Sequence, residues 1–287
     1  MSGEGGGGGG GGKKSMPCVF FKKGNCRNGD ACPFSHDPSL AGSSVPSPNN
    51  RPPRPERPTS APAPMIVELM PGVPYVALDV ECVATAPEHN CRATAQIALV
   101  SHSEQPVLNL YVKPDGNIQS YLEPLTGLNK ELLDTHGMPI AQAMSILRQH
   151  LPKNSVLVGQ NIKKDVEWLE LQEGVDFGGM VDLSALFRVW NDKYSSFTYF
   201  GLDHASTCCL GQANDGAAHN AVTDAIKSMQ LFNLYCRTQT SPDDLSKMHA
   251  KLLATPVAAS FAKQNPTFEG CCMGNRKTCK CGAPFFS

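Results

Sequence analysis

Four acids and one histidine, spread over three segments, are the side chains of this chain best suited to chemistry. The run Val76-Ala-Leu-Asp79-Val-Glu81-Cys82 holds two acids two positions apart among apolar residues. Side chains alternate along a strand, so Asp79 and Glu81 point to one face. Each would cost several kcal/mol if desolvated without a partner. A bound divalent cation removes that cost, and Mg²⁺ or Mn²⁺ prefers such oxygen ligands. A third acid ends Val156-Leu-Val-Gly-Gln160-Asn-Ile-Lys-Lys-Asp165, which reads as strand, turn and helix start. In Gly216-Ala-Ala-His219-Asn-Ala-Val-Thr-Asp224 a histidine stands five positions before the fourth acid. This set suits two-metal phosphodiester hydrolysis, where cations about 3.5–4 Å apart activate the attacking water and stabilise the leaving oxygen. A histidine titrating near neutral pH can take the proton. A solvated acid, a capping aspartate and a core histidine form the competing reading. It would win for a lone Asp-x-Glu, but three ordered segments weigh against it.

A second cluster lies near the start. Cys18, Cys26, Cys32 and His36 are separated by seven, five and three residues, and three thiolates with one imidazole suit tetrahedral Zn²⁺. So short a segment cannot stabilise itself by apolar burial, so metal would supply most of its folding energy. Phe20, Phe21 and Phe34 stand among the ligands with Lys22, Lys23 and Arg27, rings and cations that suit single-stranded nucleic acid. The alternative is a structural zinc module that docks protein. Cys271, Cys272, Cys279 and Cys281 lie beside Arg276, Lys277 and Lys280. These thiols read as a second Zn²⁺ set or as an exposed reactive tail. Cys82, Cys91, Cys208, Cys209 and Cys236 read as small core residues. His89, His102, His136, His150, His204 and His249 have no companions at ligand spacing, which leaves them packing or surface roles.

The elements that must position these residues occupy one long block. Residues 1–15 are Gly-rich and expected to be disordered, 16–37 form the Cys/His island, and 38–64 are a Pro-rich linker. That linker would span roughly 25–30 Å as a random coil. Apolar patterning runs through 65–240, and 241–287 adds a helix and a Cys-rich tail. Strands are expected at 75–82, 94–101, 107–112 and 156–158, and helices at 139–151, 163–171, 202–210, 217–235 and 241–253, with Ser241 as N-cap. Trp168 and Leu169 read as core residues of their helix. Three early strands followed by strand–helix alternation predict an α/β fold, a mixed sheet flanked by helices.

The Cys/His island resembles the CCCH zinc finger family, which implies single-stranded RNA binding with stacking by Phe20, Phe21 and Phe34. Over about 75–236 the chain resembles the DEDDh family of 3′–5′ exonucleases. Asp79 and Glu81 match its first motif, Asp165 its second, and His219 with Asp224 its third. Its likeness is greatest to the eukaryotic RNA exonuclease (Rex), or interferon-stimulated RNA exonuclease, group, through Val158-Gly-Gln-Asn-Ile-Lys-Lys-Asp165. That group commonly has Asp-Cys-Glu-Met where this chain has Asp79-Val-Glu81-Cys82. The resemblance implies an RNase H-like fold and release of nucleoside 5′-monophosphates from a 3′ end. It assigns the four acids to two Mg²⁺ or Mn²⁺ ions and His219 to proton abstraction. Thr126-Gly127-Leu128 takes the place of the segment that meets the terminal nucleotide, which assigns Thr126 and Leu128 to nucleic-acid contact. Two alternatives stay open: a DNA-directed 3′–5′ exonuclease, and an RNA-binding regulator without enzymatic activity.

Charge supports a nucleic-acid partner once it is divided. The chain carries 25 basic and 26 acidic residues, a balance that by itself gives no such indication. Residues 1–64 hold 8 basic and 4 acidic side chains, 65–240 hold 11 and 19, and 241–287 hold 6 and 3. An acidic block suits cation binding, and basic ends suit phosphate. No apolar run reaches the ~18 residues of a membrane span, and no secretion signal opens the chain. An intracellular protein, cytoplasmic or nuclear, is expected, with its 12 cysteines as thiols or metal ligands rather than disulfides.

Overall fold

A computed structural model describes residues 18, 21, 32, 34–37, 61–213 and 216–285. The chain divides into two compact units, 1–57 and 58–287.

The second unit is built on a five-stranded sheet of order β3-β2-β1-β4-β5. Its strands are β1 (Tyr75–Ala84), β2 (Arg92–Ser101), β3 (Pro106–Tyr111), β4 (Val156–Gly159) and β5 (Gly179–Asp182). The first three form an antiparallel meander, while β4 pairs parallel with β1, and β5 parallel with β4. The sheet is therefore mixed, as the order of elements predicts.

Helices α1 (Glu123–Thr126), α2 (Lys130–His136) and α3 (Ile140–His150) fill the crossover from β3 to β4. After β4 come α4 (Lys163–Trp168), α5 (Leu183–Leu186), the hairpin β6 (Val189–Asn191) and β7 (Ser196–Thr198), then α6 (Leu202–Leu210) and α7 (Ala221–Thr238). The C-terminal extension adds α8 (Pro242–Ala254), α9 (Phe261–Gln264) and the hairpin β8 (Thr267–Phe268) and β9 (Cys271–Cys272).

Alternation along β1 divides the core in two. Tyr75 and Ala77 join Ala98, Val100, Val156 and Val158 in a cluster closed by Ala225, Met229 and Phe232 of α7. Val76, Leu78, Val80 and Cys82 point the other way and pack with Ala143, Met144 and Leu147 of α3. Asp79 and Glu81 continue the parity of Tyr75 and Ala77, so they belong to the face that α7 covers. The start of the unit is clipped to the end of α7. Gln239 bonds both backbone groups of Val67 at 2.8 Å, and Tyr235 Oη donates to the Met65 carbonyl at 2.7 Å. Leu245, Met248 and Leu252 of α8 pack into the α7-side cluster, and the Ser241 side chain caps that helix by accepting from Asp244 N.

Two helices depart from their expected bounds. α4 stops at Trp168 rather than continuing to residue 171, because Glu170 adopts φ 50°. Leu169 is buried as read, but Trp168 is 38% exposed and is not core. α7 begins at Ala221, not Ala217: the Asn220 side chain caps it, accepting from Val222 N, while His219 N donates to the Leu125 carbonyl at 2.7 Å. No described helix is long and apolar enough to cross a membrane.

In the first unit Cys18 and Cys32 are buried with their sulfurs 3.6 Å apart. Phe21 stacks on His36 with ring centroids 4.1 Å apart. The Gly-rich start, Phe20, Cys26 and most of the Pro-rich segment lie outside the described residues.

Candidate active site

The first strand and two later segments bring all five candidate residues to one place. β1 carries Asp79 and Glu81 at its centre, and the register shift between Glu81 and Cys82 bulges the strand beside them. α4 presents Asp165 from its first turn, buried at 6% exposure. Gly159 makes the approach tight: a Cβ there would lie 2.9 Å from the Leu78 carbonyl oxygen and 2.8 Å from Ile162 Cδ1. α7 presents Asp224 from its first turn, almost fully buried, with His219 just outside the helix. Ligand atoms of Glu81, His219 and Asp224 all lie within 4.8 Å of one another.

Crowded, desolvated acids resist ionisation. Burial first, then the charges of Asp165, Glu81 and Asp224, raises Asp79 well above the carboxylate range. Burial pushes Glu81 up to about 8; His219 opposes this, while Asp224 and Asp165 reinforce it. Asp165 also rises to about 8 through burial, against backbone hydrogen bonds that favour its charge. Asp224 differs. Burial would raise it, but hydrogen bonds from His219 and Lys227 outweigh that and hold it low. Its bond to Asp224 lifts His219 to about 9, although burial opposes the charge. His219 Nδ1 lies 2.7 Å from Asp224 Oδ2, and Nε2 lies 3.7 Å from Asp203 Oδ2.

The sequence reading missed three supporting residues. Lys227 bridges Asp224 and Asp203 at 2.8 and 3.0 Å. It lies one turn beyond Asp224 on α7, and that i,i+3 spacing was a usable signal. Asp203 stands at the start of α6. Gln96, fully buried opposite Glu81, accepts from Ala221 N at 3.2 Å and thereby ties β2 to the start of α7.

Thr126 and Leu128 need correction. Both are buried, and Leu128 packs with Val83, Ala95 and Leu133. Thr126 Oγ1 donates to the Tyr121 carbonyl and accepts from Leu128 N, so it locks its own turn. Pro124 and Leu125 reach the cleft instead. This cleft, about 990 Å³, opens beside His219 and is also lined by Tyr199, Asp203, Phe261 and Lys263.

The second cysteine set also needs correction. Neighbours on a strand face opposite ways, so Cys271 turns into the core beside Ala84 and Leu122 while Cys272 does not. His89 takes the fourth place beside Cys272, Cys279 and Cys281. The sequence separates His89 from them by more than 180 residues, so spacing could not reveal it. In the finger unit, Cys18, Cys32 and His36 cluster, Phe21 and Phe34 are exposed, and His36 Nε2 is buried without a hydrogen-bond partner among the described residues. A buried lone pair beside two thiols fits a metal ligand.

Fold and site together define a nuclease class. Residues 76–232, more than half of the chain, match the exonuclease family, and the chain belongs to it. Residues 18–36 match a zinc finger domain. Among relatives, small RNA degrading nuclease 3 of Arabidopsis thaliana is 28% identical over 54% of this chain and 19% of its own length. RNA exonuclease 4 of Candida glabrata is 25% identical over 62% and 63%, and human RNA exonuclease 5 is 24% identical over 67% and 24%. The chain thus spans less than two thirds of each of these relatives. The catalytic unit of Neurospora crassa Pan2, with its protease and nuclease domain, has a similar fold. Its TM-score is 0.53 at 15% identity, over 71% of this chain and 34% of that one. A Saccharomyces cerevisiae Pan2 module in complex with AAGGA RNA also gives 0.53, at 18% identity over 63% and 32%.

Proposed function

We propose that this chain is a metal-dependent 3′–5′ exoribonuclease that releases nucleoside 5′-monophosphates from single-stranded RNA. The observation that carries the reading is the convergence of Asp79, Glu81, Asp165 and Asp224 with His219 beside a cleft. Three acids held against ionisation, Asp165 buried and Asp79 and Glu81 partly so, fit divalent cations, whose charge would relieve their mutual repulsion. Two Mg²⁺ or Mn²⁺ ions held by the four acids would supply the charge that acidifies the attacking water and stabilises the departing 3′ oxygen. Asp224 orients His219 through Nδ1. Cation charge at Asp224 would weaken the pairing that holds His219 protonated, and the neutral imidazole would then take the proton from that water at Nε2. The P–O3′ bond breaks, the shortened strand keeps its 3′-hydroxyl, and the phosphate leaves on the 5′ carbon of the terminal nucleoside. Pro124 and Leu125 border the entering end, with Tyr199 available for base stacking. A Zn²⁺ ion on Cys18, Cys26, Cys32 and His36 would order the finger, which holds RNA through Phe21 and Phe34.

The test is digestion of matched 5′-labelled RNA and DNA oligonucleotides with Mg²⁺, Mn²⁺ or EDTA, beside Asp79→Asn. A 3′-to-5′ ladder on RNA that needs metal and Asp79 is expected. Faster DNA digestion would replace the RNA assignment with a DNA one, and activity surviving EDTA would overturn the metal mechanism.

A further inference from the structure

We propose that His89, Cys272, Cys279 and Cys281 form a structural zinc site that fastens the C-terminal extension to the exonuclease unit and so fixes one wall of the cleft. His89 comes from the loop between β1 and β2, and the cysteines come from the end of the chain. Cys279 Sγ lies 3.5 Å from both Cys272 Sγ and Cys281 Sγ. His89 Nδ1 lies 3.1 Å from Cys281 Sγ and 3.6 Å from Cys279 Sγ. All four ligand atoms fall within 4.8 Å of one another, and all four residues are partly buried. Tetrahedral Zn²⁺ with Zn–S bonds of about 2.3 Å has ligand–ligand edges of about 3.8 Å. The cluster therefore needs only small outward shifts to accept the ion, and none of its cysteines is in a disulfide.

The local backbone agrees with a metal knuckle. Gly274 N lies 3.5 Å from Cys272 Sγ as a donor, and Gly274 turns the chain at φ +70°. Phe285 stacks on the His89 ring at 4.3 Å. Beyond α8, whose Leu245, Met248 and Leu252 join the core, apolar burial alone gives the extension little support. In its last hairpin only Cys271 is fully buried, with Phe268 and Met273 partly so. Metal binding would supply the missing folding energy.

The fastening reaches the cleft through short contacts. Cys272 N donates to the Pro87 carbonyl at 2.7 Å, and Arg92 Nη2 donates to the Cys272 carbonyl at 2.9 Å. Glu269 bonds Ser120, and Cys271 packs on Leu122 next to Leu125. The Leu125 carbonyl holds His219 N, while residues 255–264 and Met273 line the cleft beside His219.

Zinc per chain, measured by elemental mass spectrometry on the 287-residue chain equilibrated with excess Mg²⁺, tests the site. Two ions are expected in the native chain and one in Cys18→Ser/Cys32→Ser. Adding Cys279→Ser/Cys281→Ser should remove that last ion, whereas adding Cys271→Ser should keep it. His89→Cys should retain it and His89→Ala lose it, a pair that separates ligation from misfolding. In the native chain, removal of zinc should open residues 255–285 to protease before the rest of the unit. A Cys18→Ser/Cys32→Ser protein without zinc would overturn the proposal. So would zinc retained after Cys279→Ser/Cys281→Ser, or lost equally on Cys271→Ser.

Discussion

Three carboxylates of the site keep their protons well above the ordinary range, and this has a measurable consequence for the metal-free protein. Glu81 moves from 4.5 to about 8, Asp165 from 3.8 to about 8, and His219 from 6.5 to about 9. In each case the folded state binds protons that the unfolded chain has released, so stability falls as pH rises between the two values. Thermal denaturation in EDTA should give a Tm that falls from pH 5 to pH 8, and Mg²⁺ should restore more at pH 8 than at pH 5. A Tm rising across that window would contradict the burial of these acids. His219→Ala should lower kcat by ~10²–10⁴-fold, the usual contribution of a positioned base, and lower the Tm most at acid pH, where its pairing with Asp224 contributes stability. The five catalytic candidates were legible because acids in an apolar strand and a histidine five before an acid are odd at short range. Asp203 and Gln96 were not, since each is an ordinary polar residue until folding brings it to His219 or Ala221, while Lys227 offered only its i,i+3 spacing from Asp224. Thr126 and Leu128 failed for the opposite reason: a segment can border a cleft while its side chains point inward.

α7 both closes the sheet face and delivers Asp224 with its counter-cation. Lys227 neutralises an acid that the divalent ions would need. Lys227→Met should therefore lower the Mg²⁺ concentration for half-maximal activity, on the order of tenfold for a charge this close. An unchanged or higher requirement in a metal titration would show that Lys227 does not compete. At the end of β4, Gly159→Ala would press a methyl against the Leu78 carbonyl and Ile162. A loss of about 1–3 kcal/mol is expected in urea denaturation, as for overpacked cores, with weaker catalysis because Asp165 follows that turn. The long elements were legible: β1 to β3 by β-rich runs between turns, and α3 by its apolar spacing. α1 has four residues and each strand of the β6–β7 hairpin three, too few for any period to show. Tertiary bonds then set the start of α7, where His219 N finds Leu125 instead of a helical partner.

For the whole molecule, near-neutral total charge conceals an acidic catalytic block between basic ends. Under the proposed function, a tethered finger that holds RNA would raise local substrate concentration without changing the chemistry. Deleting residues 1–60 should raise KM on long RNA severalfold and leave kcat largely intact; a fall in kcat at saturating RNA with KM unchanged would refute that division. The mixed sheet and the strand that carries Asp79 and Glu81 followed from sequence pattern; the strand order and the short edge strand β5 did not. The join between the extension and the β1–β2 loop did not, because His89 and the last cysteines meet only through the fold. The proposed function requires that water attack the terminal phosphodiester at the site of Asp79, Glu81, Asp165, Asp224 and His219. Digestion of RNA in H₂¹⁸O with Mg²⁺, followed by mass spectrometry of the products, follows that oxygen atom. Nucleoside 5′-monophosphates carrying one ¹⁸O are predicted, absent with Asp79→Asn. Cyclic or 3′-phosphate products, internal fragments, or full activity of Asp79→Asn would contradict it.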